Sequence, residues 1–251
     1  MSAPALATEG LGLVIGGAVI VEDLSLSVAP GEMLGVIGPN GAGKTTLFNL
    51  LSGLRAPTSG AVRLAGIDVT SRPAHRRARL GLGRTFQTSS VFAGLSVLEN
   101  VRLAAQAHLG GSLSVLRCPQ RADTSNRIAE ERLAEVGLES RARTLAGELS
   151  HGEKRKLELA GLLAADPSVI LLDEPMAGVG MADVAGLCEL ITRIHREHGR
   201  TVLLIEHHMD VVLGLVDRVA VMHRGRLLAC DTPAAIKTDP AVQSAYLGVG
   251  T

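Results

Sequence analysis

Neither sign of charge prevails in this chain: its 251 residues carry 25 Lys plus Arg against 25 Asp plus Glu. A balance of zero creates no general field that would draw nucleic acid or anionic lipid to the surface, so nucleic acid is set aside as a partner. Cysteine is scarce and unpatterned. Cys118, Cys188 and Cys230 are odd in number, far apart and without C-x-x-C spacing. The expectation is free thiols in a reducing compartment, not a disulfide framework. Long hydrophobic runs are missing too. The longest early one, from Leu11 to Val21, contains three glycines and stops at Glu22, too short to span a membrane. No basic residue precedes Lys44, so this segment lacks the charged start of a secretory signal. These absences predict a soluble, cytoplasmic protein, long enough for one large or two small domains.

What is present begins with Gly38-Pro39-Asn40-Gly41-Ala42-Gly43-Lys44-Thr45-Thr46, which fits G-x-x-x-x-G-K-[ST], the phosphate-binding P-loop. Met33 to Ile37 before it reads as a buried strand, and Leu47 to Leu51 after it carries apolar residues at helical spacing. Glycines let the backbone wrap so that successive N–H groups face phosphate oxygens, and the following helix presents its positive end to the same anion. Lys44 is expected to reach the β- and γ-phosphates of a nucleotide, and the Thr45 hydroxyl to coordinate magnesium.

In chain order, Leu11 to Val28 reads as short strands broken at Gly16-Gly17 and at Glu22-Asp23, followed by a Pro30-Gly31 turn. Ala61 to Gly66 reads as a further strand. Arg72, Arg76, Arg77, Arg79 and Arg84 form a basic stretch open to two readings, a nucleic-acid face or, better with zero net charge, a solvated helix face. From Ser96 to Gly147 the spacing is helical, with Gly110 to Ser125 expected as a surface connection. After Ser168, strand and helix patterns alternate, the mark of a parallel α/β sheet. Val169 to Leu172 is an apolar strand that delivers Asp173 and Glu174 at its carboxyl end, the edge where ligands of open α/β sheets bind. Asp173 is placed to hold magnesium through its shell, and Glu174 to accept a proton from an attacking water.

Leu149-Ser150-His151-Gly152-Glu153-Lys154 resembles the L-S-G-G-Q signature of ATP-binding-cassette (ABC) ATPases. Gln87 after Arg84-Thr85-Phe86 matches that family's Q-loop, and His207 after Val202 to Glu206 matches its switch histidine. Taken singly they read as a surface glutamine and a loop histidine. With the P-loop and Asp173-Glu174 they make five motifs in the family's order, across nearly the whole chain. The resemblance implies an α/β fold: a P-loop NTPase core with a mainly parallel sheet, an antiparallel β subdomain and an inserted helical subdomain. The chain would be one cassette, 1–251, with 1–87 and 161–251 as nucleotide-binding core and 88–160 as the helical subdomain carrying the signature.

It further implies a head-to-tail pair of ATPases with ATP and Mg2+ as ligands. Ser150 and Gly152 would act on the opposite subunit's nucleotide. Gln87 would touch magnesium or water and couple the site to a membrane partner, and His207 would orient water and Glu174. The implied partners are transmembrane permease subunits, a second ABC ATPase of the same or a related kind and, indirectly, a solute-binding protein, with this chain peripheral at the cytoplasmic face of the cell membrane. Glu174 to Val179, Glu206 to Val212 and the ending Ala245-Tyr246-Leu247-Gly248 look most like ATPases of branched-chain amino acid and amide importers. Lipopolysaccharide-export ATPases look similar over much of the length. A soluble ABC protein acting on ribosomes or DNA, or a regulator that no longer hydrolyses, are the other readings.

The chain departs from the family pattern in three places. No Phe, Tyr or Trp precedes Phe48, so Ile15 stands where an aromatic residue usually stacks on adenine, which implies weak discrimination of ATP from GTP. Gly180 stands where Asp commonly bridges the two sites. His151 and Glu153 replace the signature's second glycine and glutamine.

Overall fold

The computed structural model describes residues 3–85, 91–110, 119–207 and 209–247. The chain divides into two compact units: Met1–Arg84 with Ser168–Glu174 and Thr192–Thr251, and Thr85–Pro167 with Pro175–Ile191.

The first unit opens with a hairpin of β1 (Leu6–Ile15) and β2 (Ala18–Val28), turning at Gly16 and Gly17. The sequence suggests a strand break at Glu22-Asp23, but β2 runs through it. Asp23 takes φ 47° and the pairing slips between Leu11↔Leu24 and Leu13↔Val21, so the irregularity is a bulge and not a strand end. The chain continues into β3 (Met33–Ile37) and, past the glycine loop, α1 (Lys44–Ser52). It returns through β4 (Ser59–Leu64) and β5 (Ile67–Asp68), then α2 (Ala74–Arg79) and β6 (Leu82–Arg84).

The expectation of a solvated basic face from Arg72 to Arg84 is corrected at two positions. Arg84 lies in a strand, and Arg77 is only 1% exposed. Arg77 donates to the carbonyls of Leu50 and Leu51 at 2.6 and 2.7 Å, and to those of Arg72 and Thr70 at 2.9 and 3.0 Å. Leu50 and Leu51 lie in the last turn of α1, whose carbonyls have no partner within the helix. A guanidinium with five donors can satisfy several at once, which is why a charged residue is stable in this interior.

The second unit holds α3 (Val97–Leu109), α4 (Pro119–Val136) and α5 (His151–Ala164), which pack on one another. Val101 and Ala105 of α3, Ala129 and Leu133 of α4, and Leu157 and Ala160 of α5 are buried. The expected surface connection from Gly110 to Ser125 is shorter than its composition suggests. α4 already begins at Pro119, where a fixed φ and a missing N–H suit the first helical position.

The chain then alternates: β7 (Val169–Asp173), α6 (Met181–His198), β8 (Thr201–Ile205), α7 (Met209–Leu215), β9 (Arg218–His223) and β10 (Arg226–Asp231). It ends with α8 (Pro233–Thr238) and α9 (Pro240–Leu247). The strands of the first unit form two sheets, an antiparallel one ordered β2-β1-β4-β5 and a six-stranded one ordered β10-β9-β3-β8-β7-β6, parallel except for β9–β10. β3, β7 and β8 are buried at every position, as parallel strands covered on both faces must be. Leu11, Leu24 and Val28 of one sheet, Phe48 and Leu51 of α1, and Val36, Leu171 and Leu203 of the other sheet form one apolar cluster. Each such side chain, fully buried, contributes about 1.5–3 kcal/mol, so α1 is fixed from both sides. No described helix is long and apolar enough to cross a membrane.

Candidate active site

Parallel register brings the chemistry to one edge. β8 pairs with β7 so that Asp173 faces Ile205, and with β3 so that Val36 also faces Ile205. The three strands therefore end together, and the groups just beyond their ends, the glycine loop, Glu174 and His207, emerge on the same side. A cleft of about 310 Å³ opens there, lined by the loop from Asn40 to Thr46 together with Ile20, Glu174 and His207.

The loop is shaped by glycines where no side chain fits. A β-carbon on Gly38 would lie 2.2 Å from the Met222 carbonyl oxygen. Gly43, at φ 98°, is the N-cap of α1, and no side chain caps the helix there. The first amides of α1 thus face the cleft as donors with positive character, a setting for an anion. Lys44 Nζ donates to the carbonyls of Gly38 at 2.6 Å and Pro39 at 3.1 Å. Burial pulls the pKa of its ammonium below the ordinary lysine value, against the carboxylates of Glu174 and Asp173. Thr45 lies in the lining and Asp173 is buried; both are hard oxygen donors of the kind magnesium takes beside phosphate oxygens. Cradle and donor set fit a nucleotide with its metal.

Glu174 follows β7 at φ 50° and donates its backbone N–H to the Ile205 carbonyl at 2.9 Å. His207 Nε2 lies 2.7 Å from Glu174 Oε1. An ionised carboxylate only accepts, so the ring nitrogen is the donor. Asp173 is 1% exposed, and its Oδ2 accepts from Arg84 Nη2 at 2.9 Å. Burial pushes the Asp173 carboxyl up from its ordinary range, and the Arg84 guanidinium opposes that shift. Arg84 is a residue missed by reading the sequence, where it counts as one more surface cation of a basic stretch.

Other expected site residues fall elsewhere. Gln87 lies outside the described residues. Ile15 ends β1, 44% exposed, and is not among the lining residues; the aliphatic side chain in the cleft wall is Ile20 on β2. In the second unit, Ser150 is the N-cap of α5. Its hydroxyl accepts from Glu153 N at 3.2 Å while the Glu153 carboxylate accepts from Ser150 N at 2.9 Å. This capping box shows why Glu replaces the signature glutamine without harm to the helix start. Gly152 sits in the first turn of α5, where a β-carbon would meet Asp183 Oδ2 at 3.4 Å. The Gly180 carbonyl accepts from Asp183 N at 2.8 Å at the start of α6.

Residues 21–177 match the sequence profile of the ABC transporter family. The chain is an ABC transporter ATPase. Its activity is accordingly ATP hydrolysis, and its fold is that of the cassette. Residues 226–251 of this ABC ATPase match a second profile, described as branched-chain amino acid ATP-binding cassette transporter. It is similar to the high-affinity branched-chain amino acid transport ATP-binding protein BraF of Pseudomonas aeruginosa, 38% identical over 253 residues and 99% of both chains. LivG of Escherichia coli, described in the same words, is 38% identical over 254 residues, again 99% of both. The lipopolysaccharide export system ATP-binding protein LptB of Acidithiobacillus ferridurans is 40% identical over 230 residues, 92% of this chain and 91% of that one. Among solved structures, MJ1267, an ATP-binding cassette of an ABC transporter, superposes with a TM-score of 0.86 at 28% identity, covering 98% of this chain and 99% of that chain.

Proposed function

We propose that this ABC ATPase binds Mg-ATP in the glycine-loop cleft and hydrolyses it with Glu174 as general base, to energise an importer of branched-chain amino acids. The observation that carries the hydrolytic reading is the 2.7 Å contact of His207 with Glu174 at the cleft wall. A histidine donating to one carboxylate oxygen fixes the rotamer of a carboxylate that stands at the cleft wall as the base for an attacking water. His207 is also within reach of the cleft, so the same ring aligns the terminal phosphate with the attacking water. Lys44 and the amides at the start of α1 hold the phosphates and offset the charge that builds up as the bond to the leaving group breaks. Thr45, Asp173 and Gln87 would hold magnesium, which supplies Lewis-acid stabilisation of the phosphate oxygens. Ile15 and Ile20 would cover the base by apolar contact.

Ser150 and Gly152 would complete the site of a second ATPase arranged head to tail. The Ser150 hydroxyl accepts its capping bond from Glu153 N, and its own hydrogen would turn from the Glu153 carboxylate to a phosphate oxygen of the partner's nucleotide when the two cassettes meet. The cassette would sit at the cytoplasmic face of the membrane against permease subunits, with a solute-binding protein on the other side delivering the amino acid.

Full-length similarity to BraF and LivG, together with the match at residues 226–251, supports import. The likeness to LptB favours a second reading, the ATPase of a lipid exporter. Affinity purification from native membranes in mild detergent with Mg-ATP, followed by mass spectrometry, separates the two. Multi-span permeases, another ATPase and a solute-binding protein are expected. Lipid-export components would replace the importer by the exporter, and only soluble ribosomal or DNA-bound partners would end the transport reading.

A further inference from the structure

The hydrolytic scheme leaves one buried cation without a task. The side chain of Arg84 is 6% exposed and that of its partner Asp173 1%. Three of its hydrogen bonds point in two directions. Nη1 donates to Asn49 Oδ1 at 2.8 Å and to Ser52 Oγ at 2.9 Å, both on α1, while Nη2 donates to Asp173 Oδ2 at 2.9 Å at the end of β7. The guanidinium carbon lies 5.8 Å from the centre of the fully buried Phe48 ring, also on α1. Ser52 in turn donates to the Phe48 carbonyl at 2.7 Å, so that acceptor on α1 is itself held. Arg84 belongs to β6, where it pairs with Leu171 of β7.

One rigid planar group therefore joins the glycine-loop helix to the strand that delivers Asp173. Thr45, another protein donor expected at the metal, stands in the first turn of that same helix. With Oδ2 held, the carboxylate can turn about its Cβ–Cγ bond only by breaking a charge-assisted hydrogen bond. Ammonium at this position would keep the charge but lose the fork that reaches both elements.

We infer that Arg84 is a positioning residue for the metal: its fork sets the orientation of the Asp173 carboxylate and its register with Thr45 across β7 and α1. The inference rests on the Mg-ATP reading above. It assigns Arg84 no contact with substrate, so its effect should be felt by the metal before the nucleotide.

The test uses the full chain, a fluorescent non-hydrolysable ATP analogue and Mn2+ as the probe metal. Analogue affinity is measured in EDTA, and Mn2+ affinity of the protein–analogue complex is then read from the free-Mn2+ resonance signal. Arg84→Gln is expected to weaken Mn2+ by about 10–100-fold, as loss of a ligand's supporting partner does, with metal-free analogue affinity held within about twofold. Arg84→Lys should show the same split with a smaller loss. A folded Arg84→Gln protein with unchanged Mn2+ affinity, or one that loses metal and metal-free nucleotide in proportion, overturns the inference. If Arg84→Gln does not fold, Asn49→Ala leaves the ion pair in place and should still weaken Mn2+ several-fold; no change there overturns it equally. Wild-type protein that binds analogue in EDTA and gains no Mn2+ site would sink the Mg-ATP reading itself, a different result from any of these.

Discussion

Glu174 holds a left-handed backbone, φ 50°, at a cost of about 1–2 kcal/mol for a residue with a β-carbon. The turn it makes after β7 brings its carboxylate to His207, and the proposed chemistry depends on that meeting. Glu174→Gln should lower phosphate release by about 100-fold to 10,000-fold, the usual worth of a general base, while equilibrium binding of ATP stays at the wild-type level. Unchanged turnover would place the base elsewhere. Ile15 argues a different point. Without an aromatic ring on the base, ATP and GTP should bind comparably, and Ile15→Tyr should tighten ATP by about 2–10-fold through stacking. A large ATP preference in the unaltered chain would count against this. At this scale the sequence was legible wherever a residue's neighbours constrain it. Lys44 lies inside a spaced glycine pattern, and Asp173 ends an apolar run. Ile20, Arg77 and Arg84 were not legible, because no local pattern says that a particular aliphatic residue faces a cleft or which two arginines of five go inward.

Among the elements, α5 and α1 show two ways of finishing a helix. The N-terminal end of α5 is closed by the reciprocal bonds of Ser150 and Glu153, and Ser150→Ala should cost about 1 kcal/mol in urea unfolding. The Ser150 amide holds the Glu153 carboxyl below its ordinary value, with Arg141 assisting. A depressed folded-state pKa gives a contribution that is present above the unfolded value of about 4.3 and lost as the pH falls through the folded one. Protection factors at the first turn of α5, taken relative to the intrinsic exchange rate at each pH, should therefore fall on acidification, and Glu153→Ala should abolish that dependence. The C-terminal end of α1 is closed by Arg77 from α2. Arg77→Ala removes a donor from the Leu51 carbonyl and leaves Leu50 with the 3.3 Å bond from Gly53 N, so a fall of about 1–3 kcal/mol is expected by the same measurement. Hydrophobic periodicity announced α1 and the run of β7, α6 and β8. It could not place the start of α4 at Pro119, because the residues before it are polar and glycine-rich, nor show β2 continuing past Asp23, because a bulge accommodates the polar pair that looked like a strand end.

For the whole molecule, the proposed split of function between a cleft in one unit and a signature helix in the other predicts a concentration- and nucleotide-dependent pairing. With Glu174→Gln to prevent turnover, light scattering in Mg-ATP should show either a mass doubled relative to the nucleotide-free state or, if the natural partner is a related chain, doubling only when that chain is added. The mainly parallel sheet was readable from alternating segments. The partnership was readable only through family resemblance, since nothing in composition or periodicity encodes a second copy. The left-handed turn at Glu174 reaches further than the reaction it serves. Gly and Asn occupy that backbone region with little strain, so either replacement should relieve about 1 kcal/mol of it while leaving no carboxylate. A library varied at this codon and sorted by melting temperature would drift toward inactive proteins. Sorted instead by growth on the transported solute, it would return to glutamate, so heat resistance and fitness pull this codon in opposite directions.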